Sequence, residues 1–462
     1  MSTRGEAGAA FADVLLGGPA ADGGLYLPEH WPQFAQSTID EFAGLPYAEV
    51  AFRLMRPFIG DAFSHEEFHA DVQSAYAGFA HKAVAPLVQL APDLFLLELF
   101  HGATLAFKDV AMQLMGRLFA RALAKRNRRA TVVVATSGDT GSAAIAALRG
   151  AAGVDVVVLH PKGRVSEVQR RQMTSVLDSN IHNIALEGSF DDTQTIVKAL
   201  FADADFAART NLTAVNSINF ARIVSQCVYY FTAAAALGAN AARRVNFVVP
   251  TGNFGDIFAG EAAQRMGLAI GRLVIATNAN DILARALASG RYETGHAAPT
   301  LSPSMDIQVA SNFERALFEA SGRDARWVGD AMRGFAQTRS LTIPPAVLQA
   351  LQARYLAASA DDAKTIATIA RIYKESGLVI DPHTAIGLAA AETLEGELRG
   401  PTIALATAHP AKFSAAVTEA IGKPAELPPP FGDLLTREER YTVLPNTTHA
   451  VRDFVLEHTR QK

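Results

Sequence analysis

From about residue 94 onward, short apolar runs alternate with helical patterns along the chain. The runs contain many β-branched residues and end in small or turn-forming residues. They occupy positions 131–135, 154–159, 245–249, 273–276 and 402–406. Strands that alternate with helices in this way predict units of parallel β-sheet. Ligands bind beyond the carboxyl ends of such strands, so chemistry is expected in the polar turns that follow the runs.

The first 90 residues have a different pattern, which predicts a mainly helical cap. Glycine and proline at 17–19 and 22–24 indicate turns, and helical patterns follow them. Ser64 and Glu67 have the spacing of a capping box, and Phe63 and Phe68 that of a hydrophobic staple. A helix is therefore expected to begin there. A final helix is predicted near 447–459.

Composition narrows the class of protein. The 462 residues, 49% hydrophobic and 19% charged, suffice for two or three domains with a large core. The 42 basic and 46 acidic residues nearly cancel, so no nucleic-acid partner is predicted. The single cysteine, Cys227, favours a reducing compartment and a buried structural thiol. With no secretory signal pattern and no apolar stretch of about 18 residues, we expect a cytoplasmic protein without a membrane span.

The turn after the run at 245–249 is a candidate phosphate-binding loop. Its sequence, TGNFGD at 251–256, lies between a predicted strand and a predicted helix. Glycines let backbone N–H groups approach an anion, and the beginning of a helix carries partial positive charge. An ordinary strand-to-helix turn would also use these glycines. The sequence is neither a P-loop nor the dinucleotide fingerprint, which argues against ATP or NAD in this turn.

A second loop of this kind, TSGDTGS at 136–142, follows another predicted strand. Its hydroxyl groups, glycines and helix beginning suit a carboxylate or a phosphate, although a helix cap with a tight turn explains them equally well. Two such loops in one protein indicate a ligand with two anionic ends.

Lys108 stands among apolar residues in the segment FHGATLAFKD, at 100–109. Burial would lower its pKa and favour the neutral amine that imine formation needs. Alternatively, the side chain reaches solvent or pairs with Asp109. In the segment ALATAHPAK, at 404–412, Thr407 can hydrogen-bond a ring nitrogen or simply cap a helix. His409, Lys412 and His101 are not predicted to be catalytic.

Several segments together resemble the threonine synthases, a pyridoxal-phosphate family related to tryptophan synthase β and to the serine and threonine dehydratases. They are STRG, DGGLYLPE, ELFHGATLAFKD, TSGDTGSAA, NSINFARI, PTGNFGDIFAG, MDIQVASNFER, DPHTA and ATAHPAK. The long cap and the MDIQVASNFER segment are similar to the longer microbial and fungal branch.

The resemblance implies an α/β fold of the tryptophan synthase β-like type (fold type II), with two parallel-sheet-containing domains and the extra helical cap. The implied parts are the cap at 1–90, a smaller mobile α/β domain at 129–222, a larger cofactor-binding α/β domain at 91–128 and 223–430, and a C-terminal tail and helix at 431–462.

The resemblance also implies the roles of particular residues. Lys108 would form the Schiff base with pyridoxal 5′-phosphate, and Thr407 would face the pyridine nitrogen. The cofactor phosphate would be held by Gly252, Asn253, Phe254, Gly255 and Asp256. The amino-acid end of the substrate would meet Ser137, Gly138, Asp139 and Thr140, with Asn216, Ser217, Asn219 and Arg222 nearby. No metal is implied. Ala103 departs from the family, which usually has proline there, so the turn before Lys108 is expected to be looser.

The reaction implied is the last step of threonine biosynthesis. A carbon–oxygen lyase would convert O-phospho-L-homoserine and water to L-threonine and phosphate by γ-elimination and β-hydration. The site then needs a cation for the substrate phosphate. The candidates are Lys162, Arg164, Arg222 and Arg315. A pyridoxal lyase of other specificity and a non-catalytic homologue are the alternatives, and the state is expected to be a monomer or a homodimer.

Overall fold

The computed structural model describes residues 1–460, which contain two largely parallel β-sheets with helices packed against them. The strands, in chain order, are β1 (Leu87–Ala91), β2 (Leu94–Glu98), β3 (Ala130–Ala135), β4 (Val154–Pro161), β5 (Ile181–Leu186), β6 (Leu212–Thr213), β7 (Val245–Pro250), β8 (Ile270–Thr277), β9 (Arg291–Glu293), β10 (Ser340–Thr342), β11 (Tyr355–Ser359), β12 (Thr402–Ala406) and β13 (Thr442–Leu444).

The α-helices are α1 (Phe11–Gly17), α2 (Gln36–Glu41), α3 (Tyr47–Ile59), α4 (His65–Tyr76), α5 (Lys108–Lys125), α6 (Asp139–Leu148), α7 (Glu167–Thr174), α8 (Phe190–Ala202), α9 (Ala204–Thr210), α10 (Phe220–Ala236), α11 (Gly255–Arg265), α12 (Ile282–Ser289), α13 (Phe313–Ala320), α14 (Ala325–Thr338), α15 (Pro345–Arg354), α16 (Asp362–Ser376), α17 (Pro382–Thr393), α18 (Ser414–Ile421) and α19 (Thr448–His458). Short 3₁₀ turns lie at Pro303–Met305, Glu395–Glu397, Pro410–Phe413, Pro429–Phe431 and Leu434–Thr436.

The larger sheet has six strands in the order β1-β2-β12-β7-β8-β11. Only the β1–β2 pair is antiparallel, and the other pairs are parallel. Strands β7 and β12 are buried along their whole length, as expected for central strands covered by helices on both faces. The strands predicted from the apolar runs at 245–249, 273–276 and 402–406 therefore form the middle of this sheet.

The smaller sheet has five parallel strands in the order β13-β5-β4-β3-β6. The apolar runs predicted at 131–135 and 154–159 are its central strands. The C-terminal segment returns to this sheet, because β13 pairs with β5 and α19 packs against α8. The α/β class and the final helix are thus confirmed, and the tail adds a strand that the sequence pattern did not indicate.

Helix α10 fills the space between the cap and the larger sheet, and it packs against α3, α5 and α11. Fifteen of its residues are buried, among them Cys227, whose exposure is 0%. Burial raises the pKa of the Cys227 thiol well above its ordinary value. This cysteine is therefore a packing residue, as expected.

The cap consists of α1 to α4 and is fastened to the rest by polar contacts. Ser64 and Glu67 form the predicted capping box at the beginning of α4, and both staple phenylalanines are buried. At the N-terminus, Arg4 makes two hydrogen bonds of 2.9 and 2.8 Å to the carboxylate of Glu314 in α13. The domain limits given above stay a prediction, and residues 461 and 462 lie outside the described part of the chain.

The fold brings the predicted motifs to neighbouring strand ends. Strands β2, β12 and β7 are adjacent, and their carboxyl ends lead into the loop before Lys108, into Thr407 and into the loop at 251–256. Strand β3 of the other sheet leads into the loop at 136–142. Among residues 1–460, no helix combines the length and the apolar character needed to cross a membrane.

The return of the C-terminal segment to the smaller sheet is testable. Val455 on α19 is fully buried against this sheet, whereas Val443 on β13 is 43% exposed. Val455→Ala should lower the local stability by about 2 kcal/mol, because it removes two methyl groups and leaves a cavity. Hydrogen exchange of the α19 amides measures this effect. Val443→Ala, the matched control, should change exchange little, and equal effects would contradict the packing.

Candidate active site

A cavity of about 1030 Å³ lies beyond the carboxyl ends of the strands. Most residues predicted for the site line its wall, namely Lys108, Asp139, Thr140, Asn216, Ser217, Arg222, Gly252, Asn253, Phe254, Gly255, Asp256 and Thr407. Ser137 and Gly138 belong to the same loop as Asp139 but do not line the cavity. Asn219 does not line it either, because its side chain caps α10 and donates to the carbonyl of Leu15 at 2.9 Å.

Lys108 is the first residue of α5, and backbone hydrogen bonds hold it next to Thr407. The amide of Phe107 donates to the carbonyl of Thr407 at 2.8 Å. The amide of His409 donates to the carbonyl of Leu105 at 3.0 Å. Lys108 is 8% exposed. Burial lowers its pKa, and the charge of Asp139 opposes this effect only in part. A lysine in this position can therefore react as a neutral amine.

The carboxylate nearest to Lys108 is not its neighbour in sequence. Lys108 Nζ lies 3.2 Å from Asp139 Oδ2, across the cavity in the other loop. The alternative pairing with Asp109 is wrong, because Asp109 accepts hydrogen bonds from the amide and the hydroxyl of Thr104, at 2.7 and 2.8 Å.

The turn that contains Ala103 is held without the proline that the family usually has. The two Thr104–Asp109 hydrogen bonds close it from inside. From outside, Gln172 and Lys412 both donate to the carbonyl of Thr104, at 3.0 and 2.7 Å. The looser turn expected from the missing proline is thus offset by four hydrogen bonds.

The loop at 251–256 has the shape of an anion site. A side chain at Gly252 would approach the carbonyl oxygen of Ser304 to 2.7 Å, so only glycine fits. Phe254 has a φ of 63° and caps α11, which begins at Gly255. Amide groups at the beginning of a helix have no carbonyl partner within that helix, and they attract phosphate. The carbonyl of Asn253 fixes the loop by accepting two hydrogen bonds from Asn312, both 3.0 Å.

Asp256 at the end of this loop and Arg222 next to it each have a side-chain atom without a hydrogen-bond partner among residues 1–460. Burial raises the pKa of Asp256 to about 7, although the hydrogen bonds that Tyr229 and Tyr230 donate to its Oδ1 lower it in part. Its Oδ2 accepts no hydrogen bond from residues 1–460. Burial lowers the pKa of Arg222 to about 10, and its Nε has no partner either. Unpaired charged groups in a buried wall indicate a polar ligand.

The loop at 136–142 is closed by the hydroxyl of Thr136, which accepts from the amides of Gly138 and Gly141, both at 2.9 Å. Protein donors occupy the carboxylate of Asp139. These are Lys108 at 3.2 Å, Lys412 at 2.7 Å, Gln169 at 2.8 Å and Ser304 at 3.2 Å. Burial opposes ionisation, but the charges of both lysines outweigh it, and the pKa of Asp139 is held well below its ordinary value.

Two residues that the sequence did not assign to the site lie in the cavity wall or directly behind it. Lys412 contacts Asp139, and His383 of the DPHTA segment lines the cavity, where Asp381 holds its Nδ1 at 2.7 Å. A signal for Lys412 existed, since it stands between the apolar residues Ala411 and Phe413 much as Lys108 stands in an apolar run. His409 lies outside the cavity wall, and burial lowers its pKa to about 4.

Of the four candidate cations for the substrate phosphate, only Arg222 lines the cavity. Lys162 and Arg164 are exposed, and Lys162 pairs with Glu187 at 3.2 Å. Arg315 is fully buried, but its guanidinium donates to the carbonyls of Tyr26 and Ile218. Arg315 therefore fastens the cap, and it does not line the cavity.

Three family profiles together match most of the chain. Residues 1–76 match the one described as threonine synthase N terminus, residues 81–361 the one described as pyridoxal-phosphate dependent enzyme, and residues 384–455 the one described as threonine synthase, C-terminal. A threonine synthase of Pseudomonas aeruginosa is 52% identical over 460 residues, which are 99% of this chain and 98% of that protein. The chain belongs to the threonine synthase family.

Solved structures of threonine synthases agree with this membership. The pyridoxal-phosphate-bound threonine synthase of Brucella melitensis has a TM-score of 0.96 at 51% identity, over 100% of this chain and 99% of that chain. The yeast threonine synthase has a TM-score of 0.94 at 38% identity, over 99% and 98%. The predicted fold type, the lyase class and the pyridoxal phosphate cofactor are thereby confirmed.

The side chains of this threonine synthase family member fit the cofactor. A buried amine, Lys108, suits its aldehyde, and the glycine-lined beginning of α11 suits its phosphate. The unpaired atoms of Asp256 and Arg222 suit further polar contacts.

The raised pKa of Asp256 predicts a pH effect on the cofactor-free protein. The folded state keeps this proton up to about pH 7, whereas the unfolded chain, with the ordinary value of 3.8, releases it earlier. Stability should therefore fall as pH rises from about 4 to about 7, by up to roughly 4 kcal/mol. Asp256→Asn should remove this slope in denaturant titrations, and Asp205→Asn, an exposed control, should keep it. An unchanged slope in Asp256→Asn would refute the assignment.

Proposed function

We propose that this threonine synthase family member converts O-phospho-L-homoserine and water to L-threonine and phosphate, with Lys108 as the catalytic base and the attachment point of the cofactor. The supporting observation is the position of Lys108 Nζ, in the cavity wall and 3.2 Å from Asp139. The beginning of α11 and the loop at 136–142 are two anion-binding elements of the same site. Pyridoxal phosphate, when bound, supplies an electron sink for charge at the substrate α-carbon.

Lys108 supplies proton transfer. Because burial lowers its pKa, the amine has a free electron pair with which it can take the proton from the substrate α-carbon. The same Nζ can then exchange protons at the neighbouring carbons while phosphate leaves the γ-carbon and water adds at the β-carbon.

The two phosphates of the reaction need separate places. The cofactor phosphate is assigned to the loop of Gly252, Asn253, Phe254, Gly255 and Asp256, where helix amides converge. The substrate phosphate is assigned to Arg222, together with Asn216 and Ser217 on the same cavity wall. A guanidinium binds phosphate through two parallel hydrogen bonds, and Arg222 is a buried arginine with a donor left over.

The substrate carboxylate is assigned to the loop at 136–142. Protein donors already occupy the carboxylate of Asp139, and the amides of Gly138 and Gly141 donate to Thr136. The hydroxyl of Thr140 and the amides of Asp139 and Thr140 are therefore assigned to the substrate. Ser137 and Gly138 would reach it when the smaller sheet moves toward the larger one on binding. Cytoplasmic location, and a monomer or homodimer, stay predictions.

The reaction is tested by following its two products. Phosphate released from O-phospho-L-homoserine should equal the threonine formed. Ammonia released from threonine or serine without turnover of phosphohomoserine would favour a dehydratase, and no turnover at all would favour a non-catalytic protein.

Lys108→Ala should abolish covalent attachment of the cofactor and lower kcat by at least about a thousandfold, because the variant lacks both the amine and the base. In the protein without substitutions, borohydride reduction followed by peptide mapping should find the pyridoxyl group on Lys108. Lys423→Ala, at an exposed lysine, serves as the control. A pyridoxyl group on another lysine would show that the assignment is wrong.

Arg222→Met should lower kcat/KM for O-phospho-L-homoserine by about tenfold to a hundredfold, because a charged hydrogen bond to phosphate is lost. Inhibition by inorganic phosphate should weaken in parallel. Arg164→Met, at an exposed candidate, should change neither value. If Arg222→Met instead loses bound cofactor while KM stays the same, Arg222 serves the cofactor phosphate and the assignment fails.

A further inference from the structure

One buried carboxylate holds two lysines. Asp139 Oδ1 lies 2.7 Å from Lys412 Nζ, and Asp139 Oδ2 lies 3.2 Å from Lys108 Nζ. The side chains are 0% exposed for Lys412, 6% for Asp139 and 11% for Lys108. Arg222 adds a further positive charge that acts on Lys108. Burial raises the pKa of the two other carboxyl groups nearby, Asp109 and Asp256, which favours their neutral forms. Asp139 is therefore the carboxylate that the two lysines share, and the charge of Lys412 lowers the pKa of Lys108.

The hydrogen bonds decide which lysine stays charged. Lys412 Nζ has two strong acceptors, the carboxylate of Asp139 and the carbonyl of Thr104, each at 2.7 Å. An ammonium group satisfies both, because it has only donors. Lys108 Nζ has the longer contact to Asp139, and its other close contact is the ring of Phe107 at 4.8 Å. Lys412 is thus the better ammonium, and Lys108 is the one that becomes neutral.

We propose that Lys412 is a positioning residue: it is the permanent counter-ion of Asp139 and leaves Lys108 free to be a neutral amine. The proposal rests on the proposed function, since it matters only if Lys108 reacts with the cofactor.

The physical reason is a competition for one carboxylate. If Lys412 were neutral, Asp139 would have Lys108 as its only close cation, and burial would make that pairing strong. The repulsion between the two lysines, which lowers the pKa of Lys108, would disappear at the same time. Both changes favour the ammonium form of Lys108, which cannot attack an aldehyde.

Lys412 also holds the turn before Lys108, and a test must separate this contact from the charge. Gln172 makes the same kind of contact, since its Nε2 donates to the carbonyl of Thr104 at 3.0 Å. Gln172→Leu therefore removes a tether without removing a charge. Lys412→Gln keeps a possible donor but loses the charge, and Lys412→Arg keeps the charge.

The measurement is the rate at which cofactor-free protein captures added pyridoxal 5′-phosphate, followed by visible absorbance from pH 6 to pH 10. In Lys412→Gln, the midpoint of the pH dependence should move up by about one unit or more, and capture at pH 7 should slow about tenfold or more. Lys412→Arg should restore the midpoint of the unmodified protein, and Gln172→Leu should not move it. Peptide mapping after borohydride confirms that Lys108 is the residue modified.

Equal midpoints in Lys412→Gln and the unmodified protein overturn the inference, as does an equal shift in Gln172→Leu. If Lys412→Gln does not fold, Asp139→Asn decides. Without the carboxylate, Lys108 should lose its proton more easily and the midpoint should move down, so an upward shift would overturn the proposal. If the unmodified protein captures no cofactor on Lys108, the proposed function itself fails.

Discussion

The buried carboxylate of Asp139 is the interaction on which the geometry of the cavity depends. It belongs to the first turn of α6 beside the smaller sheet, while its partners Lys108 and Lys412 follow strands of the larger sheet. A buried charge is tolerated only when hydrogen bonds and opposite charges surround it. Asp139 meets this condition, because four side chains donate to its carboxylate. Removing Asp139 would leave Lys108 and Lys412 without their shared counter-ion.

The ion pairs of the cavity differ physically from the beginnings of the helices that face it. The beginnings of α6 and α11 offer backbone amides, which carry partial charge and cannot change protonation. The side chains between them can change it, and burial moves the pKa of Lys108 down and that of Asp256 up. In the proposed arrangement, fixed dipoles bind the two anionic groups, while Lys108 and Asp256 are groups that can change protonation.

The features that could be predicted from the sequence are those that a short stretch of residues determines by itself. The strand runs, the capping box at Ser64 and both glycine-containing loops are local patterns, and the structure has them where they were expected. Pairings between distant residues could not be predicted this way. Asp109 was the alternative partner that the sequence offered for Lys108, yet the partner is Asp139, which lies 31 residues away. Strand β13 was not predicted because its three residues are too few for a period of two to be recognised.

The two buried arginines show why burial alone does not identify a ligand-binding residue. Both Arg222 and Arg315 are almost without exposure, and burial lowers the pKa of each. Arg315 has its donors on backbone carbonyls and on Asn312, so its desolvation is already compensated by the protein. Arg222 keeps a buried Nε without a partner on a cavity wall. Among residues 1–460 no group compensates this Nε, and an anion is the ligand that a guanidinium selects, which supports the proposed assignment of the substrate phosphate to Arg222.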